Sequence, residues 1–268
     1  MQLGCSSLLF GGAPTEQAVL STCQLGFDAI ELCSIPGMGE HLFLDQPDEY
    51  YDKLRAALAE AGLVLDAVGA STALVDPAGR ERFTKAIEAA ARIGAPYITS
   101  AGGGTLGDEA SFAAVVAAVA EVAEVGARNG IKVSIKPHVG YAVHNAATAL
   151  RFLGEVDTDW VGINFDPTHV YREGDDPVEA LLALKDHIFT ARIRDTGARP
   201  GERPIGPVEQ QIPGKGTMDV AAIAEAYKQV PGLEIVTVEM VGTREMPLEE
   251  VLRVCRETKQ FLDGCFQV

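Results

Sequence analysis

The feature that most constrains this chain is an alternation. Eight short apolar or β-branched runs recur along its 268 residues, at 3–6, 27–33, 63–68, 97–100, 132–135, 160–165, 188–193 and 233–239. Each is bounded by Gly, Pro or polar residues, which suits buried parallel strands. Between them lie stretches with helical spacing, among them 50–61, 81–92, 112–129, 146–153, 177–184 and 220–228. Gly26, Gly62, Gly94 and Gly130 stand where helix C-caps belong. Eight strand–helix units in a chain of this length predict a single-domain α/β fold over 1–268, a (β/α)8 TIM barrel, whose usual size is about 250 residues. The competing layout is a doubly wound sheet. No G-x-G-x-x-G opens a helix after an early strand, and Gly102-Gly-Gly104 has the wrong spacing for a phosphate loop and no following lysine. No nucleotide cofactor is therefore expected.

Composition excludes further classes. Lys and Arg number 22 against 38 Asp and Glu, a net charge of −16, and nucleic acid repels such a surface. No uninterrupted apolar run reaches the roughly 18–20 residues that cross a bilayer, so no membrane partner is expected. The start of the chain lacks a basic and apolar leader, which predicts a cytoplasmic protein. Five cysteines at wide spacing, with no C-x-x-C, predict reduced thiols rather than a disulfide or zinc framework. The Ala-rich stretch 113–120 offers a face for homo-oligomer contact, although Ala is also simply a good helix former.

In a barrel the active site lies at the C-terminal ends of the strands. The polar residues there are Ser6, Glu31 with Cys33, Ser71, Ser100, Lys136 with His138, Asp166 with His169, Arg192 with Arg194 and Asp195, and Glu239. Asp166 and His169 leave one strand three residues apart and can face one pocket. Glu31 and Glu239 sit in otherwise apolar strands, where an unpaired acid is costly. His41 follows the second strand and is within reach of the mouth, whereas His144 and His187 belong to helix surroundings. The Gly- and Pro-rich segment 196–219 is long enough to be a lid, and its Lys215, with Arg194, could bring positive charge to a substrate.

Several segments resemble the xylose-isomerase-like TIM barrels: Gly26-Phe-Asp-Ala-Ile-Glu-Leu32, Asn164-Phe-Asp-Pro-Thr-His169, Ala191-Arg-Ile-Arg-Asp195, Pro213-Gly-Lys-Gly-Thr-Met-Asp219 and the closing Val-Glu239. That superfamily contains sugar and sugar-phosphate isomerases and epimerases and, more distantly, endonuclease IV type repair enzymes. The resemblance implies a small carbohydrate substrate. It also implies a divalent metal held by Glu, Asp, His and Glu from the fifth to eighth strands. Asp166 and Glu239 fall on two of these ligand positions, and His169 on a substrate contact. The strand-five Glu, however, is Lys136, and the strand-seven His is Arg192.

Lys has no lone pair while protonated and Arg is always charged, so neither suits a hard cation. Two expectations follow. In the first, Lys136 and Arg192 replace the ion's charge and hold Asp166 and Glu239 in a paired network. In the second, Mn, Mg or Zn binds a non-standard site of Asp166, Glu239, His138 and His169. The chemistry either way is proton abstraction next to a carbonyl of a keto sugar or sugar acid, giving isomerisation, epimerisation, elimination or decarboxylation. Lys136, His138, Asp166, His169, Arg192 and Glu239 are the catalytic candidates, and Glu31, Cys33, Ser71, Ser100, Arg194 and Lys215 the substrate contacts. Lys136 could serve as a base or form a Schiff base if desolvation and Arg192 lower its pKa. The alternative is a catalytically degenerate barrel that binds a sugar or partners an active homologue. An endonuclease IV activity is set aside, because it needs more metal ligands than five histidines supply.

Overall fold

The computed structural model describes residues 1–266. Its strands are β1 (Gln2–Ser6), β2 (Ala29–Ile35), β3 (Gly39–Glu40), β4 (Val64–Gly69), β5 (Tyr97–Ala101), β6 (Lys132–Lys136), β7 (Val161–Phe165), β8 (Ile188–Ile193) and β9 (Ile235–Val238). The helices are α1 (Thr15–Gln24), α2 (Asp48–Glu60), α3 (Pro77–Arg92), α4 (Glu109–Asn129), α5 (Ala146–Val156), α6 (Pro167–Arg172), α7 (Pro177–Leu184), α8 (Val208–Gln211), α9 (Val220–Tyr227) and α10 (Leu248–Phe266). The parallel order runs β1-β9-β8-β7-β6-β5-β4-β2, and β1 also pairs with β2, which closes the sheet into a barrel. Only β3 is antiparallel, a two-residue hairpin partner of β2 that carried no periodic signal. The eight predicted strands are the eight staves, and Gly26, Gly62, Gly94 and Gly130 take the positive φ of helix ends.

The strands differ from the expectation in one respect. They are not uniformly apolar but alternate, because successive side chains in a strand point to opposite faces. Val133 and Ile135 of β6, Ile163 and Phe165 of β7, Ala191 and Ile193 of β8, and Val236 and Val238 of β9 all join the apolar core. The residues between them are polar and bond across the barrel: Ser134 to Thr190 at 2.9 Å, Thr237 to Asp66 at 2.7 Å, and Lys136 to Glu239 at 2.6 Å. The apolar core therefore lies between sheet and helices, and the barrel interior is a polar column. Gly4 of β1 belongs to that column, where a Cβ would collide with the Thr237 hydroxyl that serves Asp66.

Helix α4 is long and apolar enough to cross a membrane by length and composition. It packs between α3 and α5 and over β6, with Phe112, Val115, Val119 and Val122 buried, as a barrel helix should. Its Asp108 N-cap accepts from the amides of Ala110 and Ser111, which anchors its first turn.

The segment 196–219 is fastened at its ends. Asp195 is fully buried, and its carboxylate accepts from the amides of Thr196, Gly214, Gly216 and Met218. At Gly216 a Cβ would strike that carboxylate, so glycine is required for the approach. Between these points α8 forms a single turn, and Gln211 bonds both Gly206 and Val241 through its side chain. Hydrogen bonds to a buried carboxylate are among the stronger ones, at about 1.5–3 kcal/mol each. Asp195→Ala is expected to destabilise the protein by about 3 kcal/mol and to open 199–216 to proteolysis. Unfolding curves and limited digestion check both effects.

Candidate active site

The polar column ends at the mouth in a network of fixed charges. Its floor is Arg192, a fully buried side chain on β8. The guanidinium is ion-paired with Glu31 of β2, lies 3.3 Å from Glu239 Oε2 and is 3.8 Å from Asp66 Oδ2. Glu31 is held further by Ser6 at 2.7 Å and Thr99 at 3.1 Å. Burial alone would lower the Arg192 pKa, but Glu31, Glu239 and Asp66 raise it above its ordinary value.

One layer higher, Lys136 Nζ donates to Glu239 Oε1 at 2.6 Å and to Asp166 Oδ2 at 3.4 Å. Arg194 donates to the same Asp166 oxygen at 2.8 Å and stands 3.6 Å from Glu239 Oε1. Asp166 is also the N-cap of α6, and its other oxygen accepts from the Thr168 amide and hydroxyl at 3.0 and 2.6 Å. Burial pushes the Asp166 carboxyl up, but Arg194, Lys136 and His169 outweigh it and leave the pKa well below the usual range. Glu239 behaves alike: burial raises it, and Lys136, Arg194 and Arg192 bring it to about 2.

The two mouth histidines have different partners. The Val139 amide donates to His169 Nδ1 at 3.3 Å, while His169 Nε2 lies 3.5 Å from Asp166 Oδ2, an acceptor, and 3.3 Å from Arg194 Nη2, a donor. His138 Nδ1 is 2.9 Å from the Val139 carbonyl, which can only accept. Nδ1 therefore carries the proton and Nε2 keeps its lone pair. The His138 ring lies between His169 at 4.0 Å and Tyr141 at 4.3 Å, centroid to centroid. Burial lowers the His138 pKa to about 4, and burial puts His169 well below its usual value.

These groups face a cavity of about 650 Å³ at the barrel mouth, lined by Lys136, His138, His169, Arg194, Glu239 and Ser71 among others. Asp166 and Arg192 belong to the network beneath it. Glu31, Cys33 and Ser100 do not line it. Glu31 points into the Arg192 layer, and the Ser100 hydroxyl bonds the Ala101 carbonyl. Cys33 is buried against Ser6, and burial with Glu31 nearby pushes its thiol up to about 12. Lys215 is placed elsewhere altogether: its ammonium is paired with Glu209 and Glu257 on the outer surface, because Asp195 turns the loop away from the mouth. His41 is structural, bound to Ser7 at 3.0 Å and to the Ala13 carbonyl at 3.1 Å.

Two participants escaped the sequence reading. Asp66 of β4 interrupts an apolar run just as Glu31 and Glu239 do, so the same argument was available for it. Arg172 lines the cavity one helical turn beyond His169, and that i, i+3 spacing was its signal. Among the described residues, no group of three or more His, Cys, Asp or Glu is placed to hold a metal ion.

Residues 22–258 match the family model described as xylose isomerase-like TIM barrel. Solved structures superpose over nearly the whole chain. D-psicose 3-epimerase with D-tagatose from Clostridium cellulolyticum H10 is 17 % identical, with 100 % of both chains covered and a TM-score of 0.79. A probable 3-DHS dehydratase, AsbF, involved in petrobactin synthesis in Bacillus anthracis, is 17 % identical, covering 98 % of this chain and 99 % of the other, at 0.79. The IOLI protein with a bound zinc atom is 21 % identical over 100 % of both chains, at 0.76. At such identities the likeness is one of fold. No curated protein matches the sequence significantly.

Asp66 supplies a test of the floor. Burial raises its carboxyl to about 6, against the opposing pull of Arg192 and the Thr237 hydroxyl, with Glu31 adding to the rise. An acid whose folded pKa lies above its unfolded value favours folding most at low pH, and that contribution disappears as pH climbs through the folded pKa. Asp66→Asn is therefore expected to leave stability unchanged below about pH 4 and to raise it by about 2–3 kcal/mol above pH 7. Asp166 and Glu239 have the opposite sign, stabilising above about pH 4.5 and losing that effect towards pH 2. Melting temperatures of both proteins across pH 4–8 check the Asp66 effect.

Proposed function

We propose that this chain, which belongs to the xylose isomerase-like TIM barrel family, is an isomerase- or epimerase-like enzyme that removes a proton next to a carbonyl, with Lys136 occupying the place of the family's metal ion. The observation that carries the reading is the Lys136 ammonium lying between Glu239 and Asp166, 2.6 and 3.4 Å away. The donor set does not suit a divalent cation. Two of the four ligand positions are cationic side chains without lone pairs, and both remaining carboxylates already face ammonium or guanidinium groups. The second arrangement, a metal on Asp166, Glu239, His138 and His169, is disfavoured because Arg194 Nη2 already contacts both Asp166 Oδ2 and His169 Nε2, at 2.8 and 3.3 Å.

In this reading Lys136 donates a hydrogen bond to the substrate carbonyl. His138 Nε2, the unpartnered lone pair at the mouth, takes the proton from the adjacent carbon. The C–H electron pair moves into the carbonyl, and its oxygen becomes an enolate stabilised by Lys136 and Arg194. Return of the proton by His138 to the former carbonyl carbon, with the hydroxyl proton of the reacting carbon passing to the enolate oxygen, gives isomerisation; protonation of the reacting carbon by water on the opposite face, with His138 giving its proton back to solvent, gives epimerisation. The carboxylates keep the ammonium in place and accept no proton themselves. The Lys136 ammonium serves both Glu239 and Asp166, so it acts here as a hydrogen-bond donor and not as a Schiff-base nucleophile.

The test is solvent deuterium incorporation next to the carbonyl of five- and six-carbon ketoses and keto acids. Lys136→Gln is expected to slow exchange by about 10²–10³-fold and His138→Asn by about 10²–10⁴-fold, both in folded proteins. Unchanged exchange in both variants overturns the roles. Metal analysis of protein purified without chelator is expected to find no stoichiometric ion, and exchange is expected to survive EDTA. One tightly bound ion per chain whose removal abolishes exchange overturns the replacement.

A further inference from the structure

The cavity offers far more donors than acceptors. Lys136, Arg172 and Arg194 line it, and among the described residues Glu239 is the one carboxylate that does. Both Glu239 oxygens are already engaged, by Lys136 and Arg192. Arg194 is only 2 % exposed, and its Nη1 has no hydrogen-bond partner. Arg172 is 7 % exposed; its Nε serves the Arg203 carbonyl at 2.8 Å. No carboxylate among the described residues lies within ion-pair distance of Arg172. Leu8, Met38 and Val75 add apolar lining to the same cavity.

A buried guanidinium nitrogen without an acceptor is costly. A neutral polyol serves it poorly, since every hydroxyl brings a proton that needs an acceptor of its own. A carboxylate brings acceptors alone and matches a wall of donors. Its place along the substrate also follows. Arg194 is 3.6 Å from the Glu239 oxygen that holds Lys136, so an anion on Arg194 lies within a carbon or two of the carbonyl that Lys136 would activate. A phosphate ester at the far end of a sugar does not reach that spot while its carbonyl sits at Lys136.

We infer that the substrate is a small keto or hydroxy acid whose carboxylate, close to the reacting carbonyl, binds Arg194 and Arg172. The inference rests on the reading above for the carbonyl's position at Lys136. The ligand's carboxylate lies against the cavity faces of Arg194 and Arg172, and its less oxygenated carbons pack on the apolar side.

The experiment is calorimetric titration of the full chain with matched series of five- and six-carbon 2-keto acids, neutral ketoses and ketose terminal phosphates. At least one acid is expected to bind tenfold or more tightly than the ketose and the phosphate of its length. Arg172→Gln is expected to weaken that acid tenfold or more without weakening the ketose, and Arg194→Lys, which keeps a cation beside Asp166, to weaken the acid tenfold or more and by a larger factor than the ketose. Melting curves confirm that both variants fold. The inference is overturned if no acid binds, if a ketose or phosphate binds as tightly, or if both variants keep the acid affinity. Deuterium exchange separates this result from the proton-abstraction reading. An acid that binds selectively without exchanging leaves the substrate class standing and removes the proton chemistry. A ketose that exchanges while no acid does has the reverse effect.

Discussion

A guanidinium closed inside a ring of strands sets the terms for everything above it. Arg192 has no route to water, so its charge must be matched where it stands, and Glu31, Asp66 and Glu239 surround it from three other strands. Glu239 then has one oxygen committed downwards and one free to hold Lys136. Lys136 in turn reaches Asp166, which holds Arg194. The order of ion pairs from floor to mouth is thus a chain of necessities, with Glu239 shared among Arg192, Lys136 and Arg194 and Asp166 between Lys136 and Arg194. Removing Glu31, Glu239 or Asp166 leaves a buried cation unmatched, and such losses are far larger than the net worth of any single pair.

The strand alternation makes this column affordable in volume as well as charge. Outward residues such as Val133, Ile163 and Val236 bury apolar surface beneath the helices, which supplies the hydrophobic stabilisation. Inward positions are thereby free to be polar. Among them is Arg192, whose fully buried side chain reaches Glu31, Asp66 and Glu239. A barrel packed with branched apolar side chains, as is common in this architecture, would have no space for it.

The fold was legible because eight strand runs and their capping glycines are local signals, readable without knowing what packs on what. The inward face was less so. A period of two is hard to see in strands of four to seven residues when half the inward positions are Ser and Thr. The acids at 31 and 239 stood out against apolar neighbours, and Asp66 stood out equally but drew no attention. Lys136 and Arg192 were conspicuous only against the family pattern, as cations where ligands belong. What no local signal carried was the direction of the 196–219 segment. Lys215 looked like a mouth residue by position in the chain, but its place is decided by four amides converging on Asp195, a tertiary arrangement. The His138 tautomer was equally invisible, since it depends on the single carbonyl of Val139.

Arg194 and Asp195 are neighbours on the chain that serve opposite sides of one peptide unit. The first faces the mouth and the second ties down both ends of the segment that follows. That segment is therefore an arch with fixed footings and an open span. Residues 199–202 can lengthen, shorten or change character without loosening the footings, since loop closure depends only weakly on length, whereas the carbonyls of Arg203 and Ile205 are held by Arg172 and Thr196. Substrate range in such an architecture is free to drift through the span while the charged groups below keep their positions.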